Sequence, residues 1–98
     1  MFVKIYRYKI RKKNFRKWKK NNDKTARLYK KYGGRFMRLA RKEGSFVHIA
    51  ELGFYKSKKE FLRIIRKFDS DPQSGLLFEE FLSTVHNKRF REEEFEAG

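Results

Sequence analysis

Asn22 holds the most chemically demanding position in the sequence. At about 100° per residue, Phe15, Trp18, Asn22, Thr25, Ala26, Tyr29 and Tyr32 fall within one arc of about 120°. An amide therefore sits in the middle of an apolar helix face. A buried amide without hydrogen-bond partners costs about 1–3 kcal/mol. A backbone group or a water can meet that need. So can a cavity between helix and sheet, where Asn22 would orient a ligand. Trp18 and Tyr29 share the arc. They are core rings in the first case and walls of an aromatic-ligand pocket in the second. His48 alternates with Phe46 and Ala50, so it points with apolar residues. Its ordinary pKa of about 6.5 suits it to take or give a proton. A lone histidine there also fits a structural or interface role. The pocket reading makes Trp18, Asn22 and Tyr29 ligand-binding and His48 catalytic.

A second group is cationic. Lys13, Arg16, Lys17, Lys20, Lys24, Arg27 and Lys31 fall within another arc of about 100° on the far side of the same helix. Like charges so close repel, and nucleic acid would relieve that repulsion by releasing counterions. Arg16, Lys17, Lys20, Lys24 and Arg27 are the binding residues on that reading. The alternative is a solvated face paired with acids elsewhere, such as the tail Glu92 to Glu96. The RNP run of an RNA-recognition motif is absent.

Other chemistry is excluded more directly. The chain has no cysteine, so thiol nucleophiles, disulfides and cysteine-held metals are ruled out. His48 and His86 lack the i,i+3 or i,i+4 spacing of helical ligands, and Glu92, Glu93 and Glu94 alternate faces on a strand, so no metal site is expected. His86 is read as the C-terminal residue of the last helix, favoured by its dipole. Gly33-Gly34 lacks phosphate-loop and dinucleotide spacings, and no Ser-His-Asp motif occurs. No cofactor is expected.

Composition sets the frame. The 98 residues carry 27 Lys+Arg against 12 Asp+Glu, a net charge of +15. Residues 1–50 hold 18 cations and 2 acids, whereas residues 51–98 hold 9 and 10, so one domain (1–98) with one basic surface is expected. Charged residues reach 40%, well above about 25% in ordinary domains. That balance resembles proteins from hot environments. No apolar run approaches the roughly 18 residues of a membrane span. The start MFVKIYRYKI lacks a signal-peptide pattern. A cytoplasmic protein without a membrane partner is the expectation.

The elements that would position these residues follow from periodicity. Phe2 to Ile10 reads as a strand with apolar residues on both faces, and Lys13 to Tyr32 as a helix stopped by Gly33-Gly34. Arg35 to Arg41 and Ser45 to Tyr55 read as strands joined by a Lys42-Glu43-Gly44 hairpin loop. In the second, Phe46, His48, Ala50, Leu52 and Phe54 share one face, and Val47, Ile49, Glu51 and Tyr55 the other. Ser57-Lys58-Lys59-Glu60 is a capping box before the apolar face Phe61, Leu62, Ile64, Ile65 and Phe68. Asp71-Pro72 starts another helix, whose buried side is Leu77, Phe78, Phe81, Leu82 and Val85. Arg89 to Glu96 closes the chain as a strand, with Phe90 and Phe95 on opposite faces.

The order is βαββαβ, an α+β ferredoxin-like arrangement with an antiparallel four-stranded sheet and helices on one face. Apolar residues on the uncovered face favour a homodimer joined through the sheets. With "FVKIYRYKI", "YKKYGG", "SFVHIAELGFYKSKKEF" and "DSDPQSGLLFEEF", nearly the whole chain resembles the dimeric α+β barrels, in particular the antibiotic-biosynthesis-monooxygenase-like proteins. The resemblance implies a barrel-like dimer. It includes cofactor-independent oxygenases acting on aromatic substrates, haem-degrading enzymes and many members without known activity. The Asn, Trp and His pattern of the haem-degrading members is not matched here, and fold analogy does not give function. Two readings stay open: a small-molecule, monooxygenase-like pocket between the first helix and the sheet, and a nonenzymatic module binding nucleic acid or another polyanion.

Overall fold

Alternation along the first strand decides which residues meet the helices. The computed structural model describes residues 1–97. Strand β1 (Phe2–Arg11) buries Phe2, Lys4, Tyr8 and Ile10 on one face, with Tyr6 partly buried between them, and Ile5 alone on the other. Successive side chains of a strand point to opposite faces, so Phe2, Lys4, Tyr6, Tyr8 and Ile10 form one row. Val3, Ile5, Arg7 and Lys9 form the other. A 3₁₀ turn (Lys12–Asn14) leads into helix α1 (Phe15–Lys31). Strands β2 (Met37–Glu43) and β3 (Phe46–Tyr55) follow, then helices α2 (Lys58–Asp69) and α3 (Pro72–Leu82). A 3₁₀ turn (His86–Lys88) precedes strand β4 (Arg91–Glu96).

The strands form one antiparallel sheet in the order β2-β3-β1-β4. This is the ferredoxin-like arrangement expected from the sequence, with α2 and α3 together occupying the second helical position. No helix among the described residues is long and apolar enough to cross a membrane.

Local signals explain the helix boundaries. Ser57 Oγ accepts the Glu60 N–H at 3.2 Å, and Glu60 Oε2 accepts the Lys56 N–H at 3.1 Å. The expected capping box thus reaches one residue further back than the N-cap. Asp71 Oδ1 accepts the Gln73 N–H at 2.9 Å, and Pro72 opens α3. Helix α1 has no side-chain N-cap bond, so its apolar face must hold it. Gly33 ends it at φ +90°, a conformation that only glycine adopts freely. At Gly34 a Cβ would lie 2.2 Å from the Tyr29 ring, so the missing side chain makes room for that ring.

Two apolar clusters form under the helices. One joins Tyr8, Ile10, Trp18, Val47, Ile49 and Val85. The other joins Phe2, Tyr29, Tyr55, Phe61 and Ile64. Each such side chain, fully buried, contributes about 1.5–3 kcal/mol.

Four expectations need correction. The hairpin turn is Gly44-Ser45, because β2 continues its pairing through Glu43↔Phe46. The last strand starts at Arg91 rather than Arg89. The α3 side expected to be buried is mostly half-exposed, and Phe78 is 47% exposed. Its rings wall a cavity instead of filling a core. Finally, His86 does not end α3, which stops at Leu82. It packs edge-on to Phe46 at 4.9 Å. Burial, then the charges of Lys9 and Arg11, pushes its pKa below the ordinary value.

Gly34→Ala is expected to displace the Tyr29 ring and destabilise the protein by about 1–3 kcal/mol, the usual cost of overpacking. Urea unfolding measures this, and an unchanged midpoint would show that the ring has room to move.

Candidate functional site

The pairing register of β1 with β3 creates a gap between the two clusters. Phe2↔Tyr55 belongs to one cluster, and Tyr8↔Ile49 and Ile10↔Val47 to the other. Between them the register sets Lys4↔Gly53 and Tyr6↔Glu51. These two rows offer polar groups where apolar side chains would close the core. Above them lies a cavity of about 490 Å³, within the range of about 300–1,000 Å³ common to small-molecule sites.

Every helix contributes to its wall. Asn22, Thr25 and Tyr29 come from α1; Phe61, Leu62, Ile65, Phe68 and Asp69 from α2; Ser74, Leu77, Phe78 and Phe81 from α3. Phe36, Phe90, Glu92 and Glu94 complete it beside the strand residues Lys4, Tyr6, Glu51, Gly53 and Tyr55.

The polar end is a chain of hydrogen bonds running inward from the surface. Arg38 on β2 donates from Nη1 to Asp23 Oδ1 at 2.7 Å and to Asn22 Oδ1 at 2.9 Å. Asn22 donates from Nδ2 to Glu51 Oε1 at 3.1 Å. The amide thus finds both a donor and an acceptor, as its burial requires. Burial pushes the Glu51 carboxyl above the ordinary carboxylate range, against the Tyr8 hydroxyl, the Asn22 amide and the Arg38 charge.

Opposite, the Tyr29 and Tyr55 hydroxyls hydrogen-bond each other. Burial raises both phenols. Tyr6 is raised by burial first and then by the charges of Glu92, Tyr55, Glu51 and Asp69. Burial also lifts Asp69. Lys4, only 7% exposed, is held by Glu94 at 3.1 Å and Glu92 at 3.4 Å.

The residues expected to line one pocket are therefore divided. Asn22 and Tyr29 are on the cavity wall. Trp18 is not: it lies in the neighbouring core cluster and donates its indole N–H to the Tyr8 hydroxyl at 2.7 Å. His48 lies on the opposite face of the sheet. Alternation along β3 turns Val47, Ile49, Glu51, Gly53 and Tyr55 towards the helices. It turns Phe46, His48, Ala50, Leu52 and Phe54 away. The His48 side chain is 40% exposed, with Glu43 at 3.8 Å, so it cannot reach a ligand in the cavity. The apolar company of His48 belongs to the uncovered face, not to the core.

Sequence reasoning passed over Lys4, Tyr6, Glu51, Tyr55 and Asp69. For Glu51 the signal was present: a carboxylate between Ile49 and Gly53, on the face shared with Val47 and Tyr55. Like Asn22, Glu51 is a polar group set among apolar residues of one face.

On α1, Arg16, Lys17, Lys20, Lys24 and Arg27 are all exposed. They form no ion pair among the described residues, while Lys19 is paired with Asp23. The acidic tail is used within the chain. Glu92 and Glu94 hold Lys4, Glu94 also holds Lys58, and Glu93 holds Arg7.

Neither a protein-family model nor a curated protein matches the chain. Solved structures do match in shape. A NIPSNAP domain protein from Burkholderia xenovorans superposes with a TM-score of 0.80 at 12% identity, over 100% of this chain and 95% of its own. A NIPSNAP family protein of unknown function from Agrobacterium tumefaciens gives 0.79 at 12% identity, over 97% and 86%. SnoaB, a cofactor-independent oxygenase from Streptomyces nogalater, gives 0.71 at 11% identity, over 99% and 93%. At such identities the likeness shows the fold. That fold is shared with these NIPSNAP structures and with the cofactor-independent oxygenase.

Proposed function

We propose that the chain binds a small, largely aromatic molecule in the cavity between α1 and the sheet. Glu51 and Asn22 form the polar end, and Tyr29 lies on the wall. The observation that carries this reading is the cavity itself: apolar walls around a few convergent polar groups, one of them a carboxyl displaced from its ordinary range. A carboxyl so placed accepts a hydrogen bond from a ligand, or a proton when ionised. The activity proposed for this site is monooxygenase-like by resemblance alone.

Calorimetric titration with neutral naphthylethanol tests the cavity. Asn22→Leu is expected to weaken binding about tenfold, or about 1.4 kcal/mol, because it removes the donor to Glu51 and the acceptor for Arg38. Unaltered binding would remove Asn22 from the site.

The partner we propose is a second copy, joined through the uncovered face of the sheet. Met37, Leu39, Phe54 and Phe95 are 53%, 51%, 50% and 53% exposed. With Val3, Ile5 and Leu52 they span all four strands on one face. Exposed apolar patches of this kind mark interaction sites. Light scattering after size exclusion should give twice the chain mass, and a monomer at micromolar concentration would reject the dimer.

A second reading rests on the unpaired cations of α1: Arg16, Lys17, Lys20, Lys24 and Arg27 form a basic face that suits nucleic acid. Binding to generic DNA and RNA should then fall steeply between about 50 and 200 mM salt. The double change Lys20→Glu, Lys24→Glu should abolish it. No binding at the lower salt would make the face a solvated surface.

A further inference from the structure

The wall of the cavity has the opposite charge to the rest of the protein. The chain carries 27 Lys+Arg against 12 Asp+Glu, so a cationic partner could have been found for every acid. Yet of the charged residues on the wall four are acidic and one, Lys4, is basic. Lys4 is taken by Glu92 and Glu94, and Glu94 is shared with Lys58. Glu51 and Asp69 have no ion-pair partner among the described residues. Arg38, the residue opposite Glu51 in the register of β2 with β3, makes its side-chain contacts with Asn22 and Asp23.

The apolar walls point the same way independently. Nine of the lining residues are Phe or Tyr. The faces of such rings attract cations. The wall already uses this attraction, since the Lys4 ammonium lies 5.4 Å from the Tyr6 ring centre and 5.7 Å from that of Phe61. The exposed cations of α1 lie on the side of that helix away from the sheet. Salt screens such charges over about 8 Å at physiological strength, whereas groups inside a cavity are screened much less.

We propose that the ligand of this cavity is an organic cation: an ammonium group carried on an apolar body of aromatic size. Its charge is seated towards Glu51, with Asp69 at the rim, and its body lies against rings such as Phe61, Phe68 and Phe81. The ammonium supplies Glu51 with a directly paired positive charge, where Arg38 is joined to it only through Asn22. It also donates hydrogen bonds to a carboxylate otherwise reached by the neutral donors Asn22 and Tyr8. Burial of Glu51 costs least when such a cation is present, because a paired charge offsets the desolvation. This proposal rests on the cavity reading above and assigns the ligand its charge.

Three probes of nearly equal shape test it by calorimetry against the full chain: naphthylethylamine, naphthylethanol and naphthylacetate. The amine is expected to bind about tenfold tighter than the alcohol, and the carboxylate weakest. Glu51→Gln should bring the amine down to the level of the alcohol and so remove the preference for charge. Asp69→Asn, at an exposed position, should weaken the amine about threefold and serves if Glu51→Gln does not fold. A protein of net charge +15 repels cations in general, so preference for the amine must come from the cavity's own acids and rings, and Glu51→Gln separates the two. Equal binding of alcohol and amine, or a preference for the carboxylate, would overturn the charge assignment and leave the cavity reading standing. Retained amine preference in the variants would also overturn it. Failure of all three probes to bind would defeat the cavity reading and this proposal with it.

Discussion

The register between β1 and β3 is the constraint on which the rest depends. Ten consecutive pairs run from Phe2↔Tyr55 to Arg11↔Phe46. A slip of one residue would turn Ile10, Tyr8 and Phe2 to solvent and bring Arg7 and Lys9 under the helices. Burial of Ile10 and Val47, both 0% exposed, fixes the register at one end, and Phe2 against Phe61 at the other. With both ends pinned, Lys4 and Glu51 have no freedom to face elsewhere. Their inward direction is thus forced by the apolar residues on either side. The cavity between the two clusters is the space that these polar rows cannot fill.

The helices adapt to that space. Helix α1 contributes two asparagines to its buried side. Asn22 faces the polar rows, while Asn21 donates from Nδ2 to the Leu77 carbonyl at 3.0 Å and ties α1 to α3. Helix α3 is the most loosely packed of the three, with only Ser74 buried. Its aromatic rings meet Phe90 and Tyr8 at edge-to-face angles. Such contacts contribute about 0.5–1.5 kcal/mol beyond area burial, which helps a helix with little core beneath it. This wall is thus held more weakly than the α1 side.

Charge is organised by face. The outer side of α1 carries cations without carboxylates. The tail acids are spent on Lys4, Arg7 and Lys58, so strand β4 is pinned to β1 by ion pairs as well as by its ladder. Exposed pairs contribute little, about 0–1 kcal/mol each. The Lys4 pairs differ because Lys4 is buried, and removing its acids would leave a buried ammonium without a partner.

The sequence by itself determined the elements and their order. Period, caps and the Gly33-Gly34 stop are local signals, carried by residues within a few positions of one another. They placed α1, the Ser57 and Asp71 helix starts and the faces of β3 without knowledge of the rest. They also marked Asn22 as a polar group in an apolar stripe. What they left open was which face of each strand the helices would cover. Periodicity separates the two faces of β3 and does not label them, and both carry apolar residues. The pocket reading puts His48, which shares its face with Phe46, Leu52 and Phe54, on the side of the first helix. Only the packing of Trp18 against Tyr8, and of Phe61 against Phe2 and Tyr55, decided that the helices lie on the side of Glu51. The site's charge followed from that choice. The partners of Lys4 and Asn22 lie 90 and 29 residues away in the chain, and no local pattern encodes contacts of such separation.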